Sequence, residues 1–167
     1  MKIKTLLSLL FLLAGCSVND CKNSQNIPLK NISVNNLVDN ISLIETLDDF
    51  KNILIANKNV LFPFYEMEDS LLISEKTNNA FSLINNVYFD SLSLDVVEEF
   101  ANLQETFFQF DKAIEILNNE SNKVFLPKIT VLTSGFFNDV VVNKENVVIG
   151  LDYFLPQSNK YKPRDLP

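Results

Sequence analysis

Residues 127–156 read PKITVLTSGFFNDVVVNKENVVIGLDYFLP. From Lys128 to Thr133 the run alternates: Ile129, Val131 and Thr133 point one way, Thr130, Leu132 and Ser134 the other, which is the two-residue period of a strand. Ser134-Gly135-Phe136 follows, and glycine permits the reversal there. Val140 to Val142 and Val147 to Ile149 flank Asn143-Lys144-Glu145-Asn146, the spacing of a four-residue hairpin loop. Asp152, after Gly150 and Leu151, reads as a turn-forming aspartate rather than a ligand or base. Tyr153-Phe154-Leu155 then packs, and Pro156 ends the element. Two of the three glycines of the chain, Gly135 and Gly150, fall in this block. The reading predicts a small β-sheet made mainly by residues 128–150, with the Val147–Ile149 strand at or near its edge.

The segment before it carries a helical period. Ser93 reads as an N-cap with Asp95 in the first turn. Val96, Phe100, Leu103, Phe107, Phe110, Ile114 and Leu117 then recur at alternating spacings of about four and three, predicting one helix of ~33 Å at ~1.5 Å per residue. Glu98, Glu99, Gln104, Glu105, Lys112 and Glu115 lie on its outer side, and Glu98 and Glu99 diverge too far to act as a catalytic pair. A core helix lying across the sheet is favoured over a coiled-coil seam, because phenylalanine is bulky for a dimeric seam and Phe108 and Ala113 widen the stripe. Asn118-Asn119-Glu120-Ser121-Asn122 ends it.

Further upstream, Asn40–Glu45 reads as a short strand. Thr46 caps a helix that runs to about Asn57 on Leu47, Phe50 and Ile53 or Leu54, with Asp48 and Asp49 in its first turn. That chemistry accounts for the adjacent acids without a metal. In Val60–Met67, VLFPFYEM, Pro63 blocks a regular helix interior or a central strand, so a buried crossing segment is expected rather than a ligand site. Asp69–Asp90 reads as two helical pieces, the first packed by Leu71, Leu72 and Ile73, broken at Thr77-Asn78-Asn79.

The N-terminus gives a location. Lys2 and Lys4 precede LLSLLFLL, an apolar core too short for the ~20 residues of a membrane span. Leu13-Ala14-Gly15-Cys16 resembles a lipoprotein processing site, with cleavage between Gly15 and Cys16 and acylation of Cys16. Residues 1–15 are thus expected to be a signal peptide, 16–33 a polar, asparagine-rich tether, and 34–167 a single domain. Ser17 after the lipidated cysteine favours the outer membrane, periplasmic face, over the inner. Each buried CH₂ of an acyl chain contributes ~0.8 kcal/mol. Cys21, alone once Cys16 is acylated, cannot form an internal disulfide and reads as incidental.

Composition closes off most chemistry. The chain has no histidine, which excludes a Ser-His-Asp triad, a Cys-His pair and HExxH within these residues. So few glycines exclude a Walker loop and GxGxxG. A formal charge of −7 argues against nucleic acid and against electrostatic docking on anionic lipid. No catalytic residue, metal ligand or cofactor is expected, and the chain is read as not an enzyme.

Taken together, the processing site, the helical middle and the final block resemble the GldB-type gliding-motility lipoproteins of Bacteroidota. The residues that carry the resemblance are Pro127 to Val131, Ser134-Gly135-Phe136, Val148 to Leu155, and Lys160-Tyr161-Lys162. Pro156 departs from the glycine usual there. The resemblance implies an α+β fold, several helices packed on a small sheet, like the N-terminal half of a zincin-like domain. It also implies a further half beyond Pro167, so a truncated chain is expected, and it carries no catalytic residue onto these positions. The function expected is a membrane-anchored, non-catalytic component of a cell-envelope assembly for gliding motility or secretion, with a protein partner. The alternatives are a remnant of a zincin-like metallopeptidase, or an envelope lipoprotein that binds another protein through its Phe-rich seam.

Overall fold

Strand β2 (Lys128–Leu132) is buried on both faces beyond its first residue, and the chain is built outward from it. The computed structural model describes residues 28–69, 71–120 and 128–161. In them β1 (Ser33–Asn36), β2, β3 (Val140–Val142) and β4 (Asn146–Gly150) form one mixed sheet in the order β1-β2-β4-β3. β1 and β4 both run parallel to β2, in the register Ser33↔Lys128↔Asn146, and β3 runs antiparallel to β4. The Val140–Val142 and Val147–Ile149 hairpin is therefore present. Val147–Ile149, expected at or near the edge, lies next to it: β3 is the outermost strand and β4 stands one strand in, with Val148 fully buried.

Among the described residues six helices pack on this sheet, an α+β architecture: α1 (Val38–Ser42), α2 (Leu47–Ala56), α3 (Lys58–Phe64), α4 (Ile73–Ile84), α5 (Phe89–Glu99) and α6 (Leu103–Glu120). The alternation of β2 and β4 divides the core. Leu132 and Val148 meet Phe50, Leu61, Phe64, Tyr65 and Ala80 on one face. Ile129 and Val131 meet Val96, Phe107 and Leu151 on the other. Thr46 caps α2 as read: its hydroxyl accepts the Asp49 N–H at 3.2 Å and its N–H donates to the Asp49 carboxylate at 3.1 Å. Phe50 and Leu54 are the buried side of that helix.

Five expectations are corrected. The single helix over 96–117 is two, α5 and α6, with a turn at Phe100–Asn102 and Leu103 N–H donating to the Phe100 carbonyl at 3.0 Å. A straight helix would overrun a sheet whose five-residue strands span about 17 Å. The bend keeps Val96, Phe100, Leu103 and Phe107 on one cluster. Beyond it the seam runs past the sheet, and Phe110 and Leu117 are exposed. Ser93 is a buried residue inside α5 rather than its cap. Asn40–Glu45 holds the end of α1 rather than a strand, and the strand lies earlier, at β1, whose first residue the tether was expected to include. Val60–Met67 buries Leu61, Phe64, Tyr65 and Met67 as expected, but Pro63 sits inside helix α3. It stands in the last turn, where only one backbone bond is forgone. Thr77–Asn79 lies within unbroken α4, the break coming at 85–88, and Leu71 and Leu72 are exposed.

Candidate functional site

The two most specific pieces of the final block come together under one carboxylate. Gly135 and Phe136 both have positive φ, 69° and 60°, so the chain leaves β2 through a left-handed reversal. The N–H groups of such a turn point inward and need an acceptor. Asp152 provides it from the single 3-10 turn Leu151–Phe154 that follows β4. The Ser134 N–H donates to Asp152 Oδ1 at 2.8 Å, and the Ser134 hydroxyl and Phe136 N–H donate to Oδ2. Ser134 Oγ in turn accepts the Phe137 N–H at 3.1 Å. Tyr153 closes the far side, its hydroxyl donating to the Phe136 carbonyl at 2.7 Å. Asn138 ties the turn to α3, its amide donating to the Phe64 carbonyl at 2.7 Å.

The electrostatics of this knot are those of a closed interior. Asp152 is 1 % exposed. Burial pushes its pKa up, the hydrogen bonds from Ser134 and Phe136 pull it back, and the balance lies above the ordinary carboxylate value. Tyr65 packs beneath with no exposed surface, and burial, then the Asp152 charge, pushes its phenol far up and holds it neutral. Phe50, Phe64 and Phe137 meet its ring edge-on at 5.0–5.5 Å. Asp152 and Tyr65 are both closed off from the surface in this fold. Asp152 is turn chemistry, as the sequence indicated, although its partners are two residues of a different turn.

A second carboxylate went unnoticed in the sequence. Asp111 of α6 is 3 % exposed. Its Oδ1 accepts the successive N–H groups of Lys30, Asn31 and Ile32 at 3.1, 2.6 and 3.0 Å, and Oδ2 accepts the Asn31 amide at 3.3 Å. The last residues assigned to the tether are therefore fastened to α6, and Ile32 enters the core. The signal was available: Asp111 follows Phe107 by four residues and precedes Ile114 by three, so a charge stands on the apolar stripe. Burial raises the Asp111 pKa, but the hydrogen bonds from Asn31, Lys30 and Ile32 outweigh it, and the net shift is downward. A carboxylate with a depressed folded pKa contributes stability above its unfolded value of ~3.9 and loses it as pH falls through the folded one. Asp111→Asn is expected to cost about 1–2 kcal/mol at neutral pH. Amide exchange at Lys30–Ile32 should rise in the variant, and acid should produce the same local opening in the wild type.

The remaining candidates scatter. Asp48 and Asp49 serve the start of α2, and Glu98 and Glu99 are both exposed at the end of α5. Among the described residues no group of three or more His, Cys, Asp or Glu is placed to hold a metal ion. Gly15 and Cys16, with the rest of the expected signal peptide and Cys21, lie outside the described residues, as does the chain after Tyr161.

Comparison with known proteins adds one finding. Neither the curated proteins nor the solved structures gave a match. The family profile described as gliding motility protein GldB matches residues 19–167. That span includes the Ser134-Gly135-Phe136 turn, the Asp152 that holds it and the Asp111 clasp, and the chain belongs to the GldB-type family of gliding-motility lipoproteins.

Proposed function

We propose that this chain is a non-catalytic component of a cell-envelope assembly serving gliding motility or its associated secretion, held to the membrane by acyl chains on Cys16. The observation that carries the reading is the family match over residues 19–167. The side chains support it. Asp111 and Asp152, the buried carboxylates among the described residues, each accept hydrogen bonds from the chain itself on both oxygens. A general acid or base needs an oxygen facing substrate. The anchor rests on Leu13-Ala14-Gly15-Cys16. Among the described residues no helix is long and apolar enough to cross a membrane. The periplasmic face of the outer membrane, suggested by Ser17, and a likeness to part of a zincin-like fold belong to the same proposal. So does a protein partner in the envelope.

Cys16→Ser tests the anchor. The wild type is expected to float with membranes and to incorporate a labelled fatty acid, and the variant to do neither. Labelling that survives the substitution would overturn the assignment. Deleting the gene in a gliding host should abolish spreading, with the wild-type copy restoring it and Cys16→Ser restoring far less. Intact gliding and secretion in the deletion strain would refute the assembly role. Stoichiometric zinc binding by the purified chain would favour the peptidase reading instead.

A further inference from the structure

The register Ser33↔Lys128↔Asn146 puts the starts of three parallel strands at one end of the sheet. The same end receives the chain from Cys16, through the Lys30–Ile32 clasp. Lys128 opens β2, Lys144 sits in the hairpin turn before β4, and Lys58 opens α3, all three exposed. They border two shallow clefts of about 390 and 640 Å³ that meet at Lys58, Asn59, Glu145 and Asn146. Among the described residues the ion pairs use Lys51, Lys76 and Lys112, and none uses these three lysines. Among the described residues the acids lining the clefts are Glu145 in both and Glu68 in the larger, so against a net charge of −7 this side carries a small positive excess, three lysines to two glutamates. Two exposed apolar side chains accompany it: Ile55, 69 % exposed, in the smaller cleft, and Val142, 66 % exposed, just before the turn.

We infer that this end of the domain docks on the anionic lipid headgroups of the membrane that holds its anchor. The inference rests on the proposed acylation of Cys16. Cys16 lies fourteen residues before Lys30. Fully extended, that stretch reaches at most about 50 Å, so the lipid surface is always within range of the face the chain enters. An anchored domain meets the headgroups at high effective concentration, so a weak contact suffices to orient it. Each lysine near an anionic surface shifts the equilibrium about fivefold, within a Debye length. Ile55 and Val142 add apolar surface at the headgroup level. Net charge argued against such docking because it averages over the molecule, whereas a surface reads the local field.

The test uses the lipidated full chain on vesicles of phosphatidylcholine alone or mixed with phosphatidylglycerol. Amide exchange across 57–60 and 143–146 is expected to slow at least about threefold on the anionic vesicles relative to the neutral ones, with 91–97 unchanged. The slowing should vanish in the triple variant Lys58→Gln, Lys128→Gln, Lys144→Gln, and in about 1 M salt, where the Debye length is about 3 Å. Equal exchange on both vesicles, or slowing that persists in the triple variant, overturns the proposal. Slowing produced equally well by soluble polyglutamate reassigns the face to an acidic protein and overturns it too. A chain that fails to float with neutral vesicles defeats the Cys16 anchor instead. The lysine face is then judged by flotation on anionic vesicles, which the wild type should show and the triple variant should not.

Discussion

Asp152→Ala is expected to destabilise the domain by about 3–5 kcal/mol, because it strips the acceptor from the buried Ser134 N–H and hydroxyl and from the half-buried Phe136 N–H at once. In a chain of this size that lowers the thermal midpoint by roughly 10 °C. Calorimetry or denaturant melts of the purified chain would read it, and a change within about 1 kcal/mol would show that the turn holds without its acceptor. Asp152→Asn keeps one acceptor oxygen and is expected to cost less. Its pH dependence has a definite sign. The folded pKa of Asp152 is raised, by burial first, so its contribution is complete below the unfolded value of ~3.9 and declines as pH rises through the folded one. The gap between wild type and Asp152→Asn should therefore narrow from acid toward neutral pH. Asp111 runs the other way in the window below: its contribution grows as pH rises from its depressed folded value to ~3.9 and is level above that. Two buried aspartates thus give opposite slopes, which distinguishes them in one titration.

Gly150→Ala is the second large effect. A Cβ at this position would lie 2.2 Å from the backbone carbonyl oxygen of Asn138, far inside contact distance. The oxygen belongs to the main chain, so no rotamer can relieve the clash. The chain around it is held on both sides: Gly150 N–H donates to the Asp139 carbonyl at 2.7 Å, and the Asn138 amide to Phe64. Either β4 separates from the Asn138 loop or the loop lifts off α3, at a cost of about 3 kcal/mol or more. A folded variant with an unchanged melt would mean the loop is softer than these bonds indicate. Gly135→Ala is the milder comparison. Its Cβ would meet Leu83 Cβ at 3.0 Å, with the added strain of alanine at a φ of +69°.

Local chemistry was legible in the sequence where it stands on the page as a pattern. The Thr46 cap, the alternation of Lys128–Leu132, the Val140–Ile149 hairpin and the reversal at Gly135 are each set by neighbours within a few residues. Pairing at a distance was not. β1 reads SVNN, with two asparagines of poor strand propensity, and is a strand because β2 offers it a ladder. β2 and β4 are close in sequence and look like consecutive arms of a meander. They lie parallel because β3 takes the return leg on the outside. The Phe100–Asn102 turn carries neither glycine nor proline, so only the extent of the sheet beneath could announce it. Of the candidate sites, Asp152 was recognised as turn-forming by its place after a strand, while the turn it holds lies sixteen residues away. Asp111 stands on the apolar stripe between Phe107 and Ile114, but its partners lie some eighty residues upstream, where no local pattern points to them. The lysines at the strand starts come from three separate elements, and no spacing in the sequence joins them.

With the proposed anchor on Cys16, the Asp111 clasp would decide where force enters this protein. Tension on Cys16 would reach the clasp at Lys30–Ile32 and pass into α6 through four hydrogen bonds to one carboxylate. The β1–β2 ladder lies behind that clasp along the chain, so it is shielded until the clasp yields. Asp111 acts in this sense as a strain relief, the element that gives way before the sheet does. Its failure would lengthen the leash by a few residues and draw Ile32 from the edge of the core before the sheet itself is loaded.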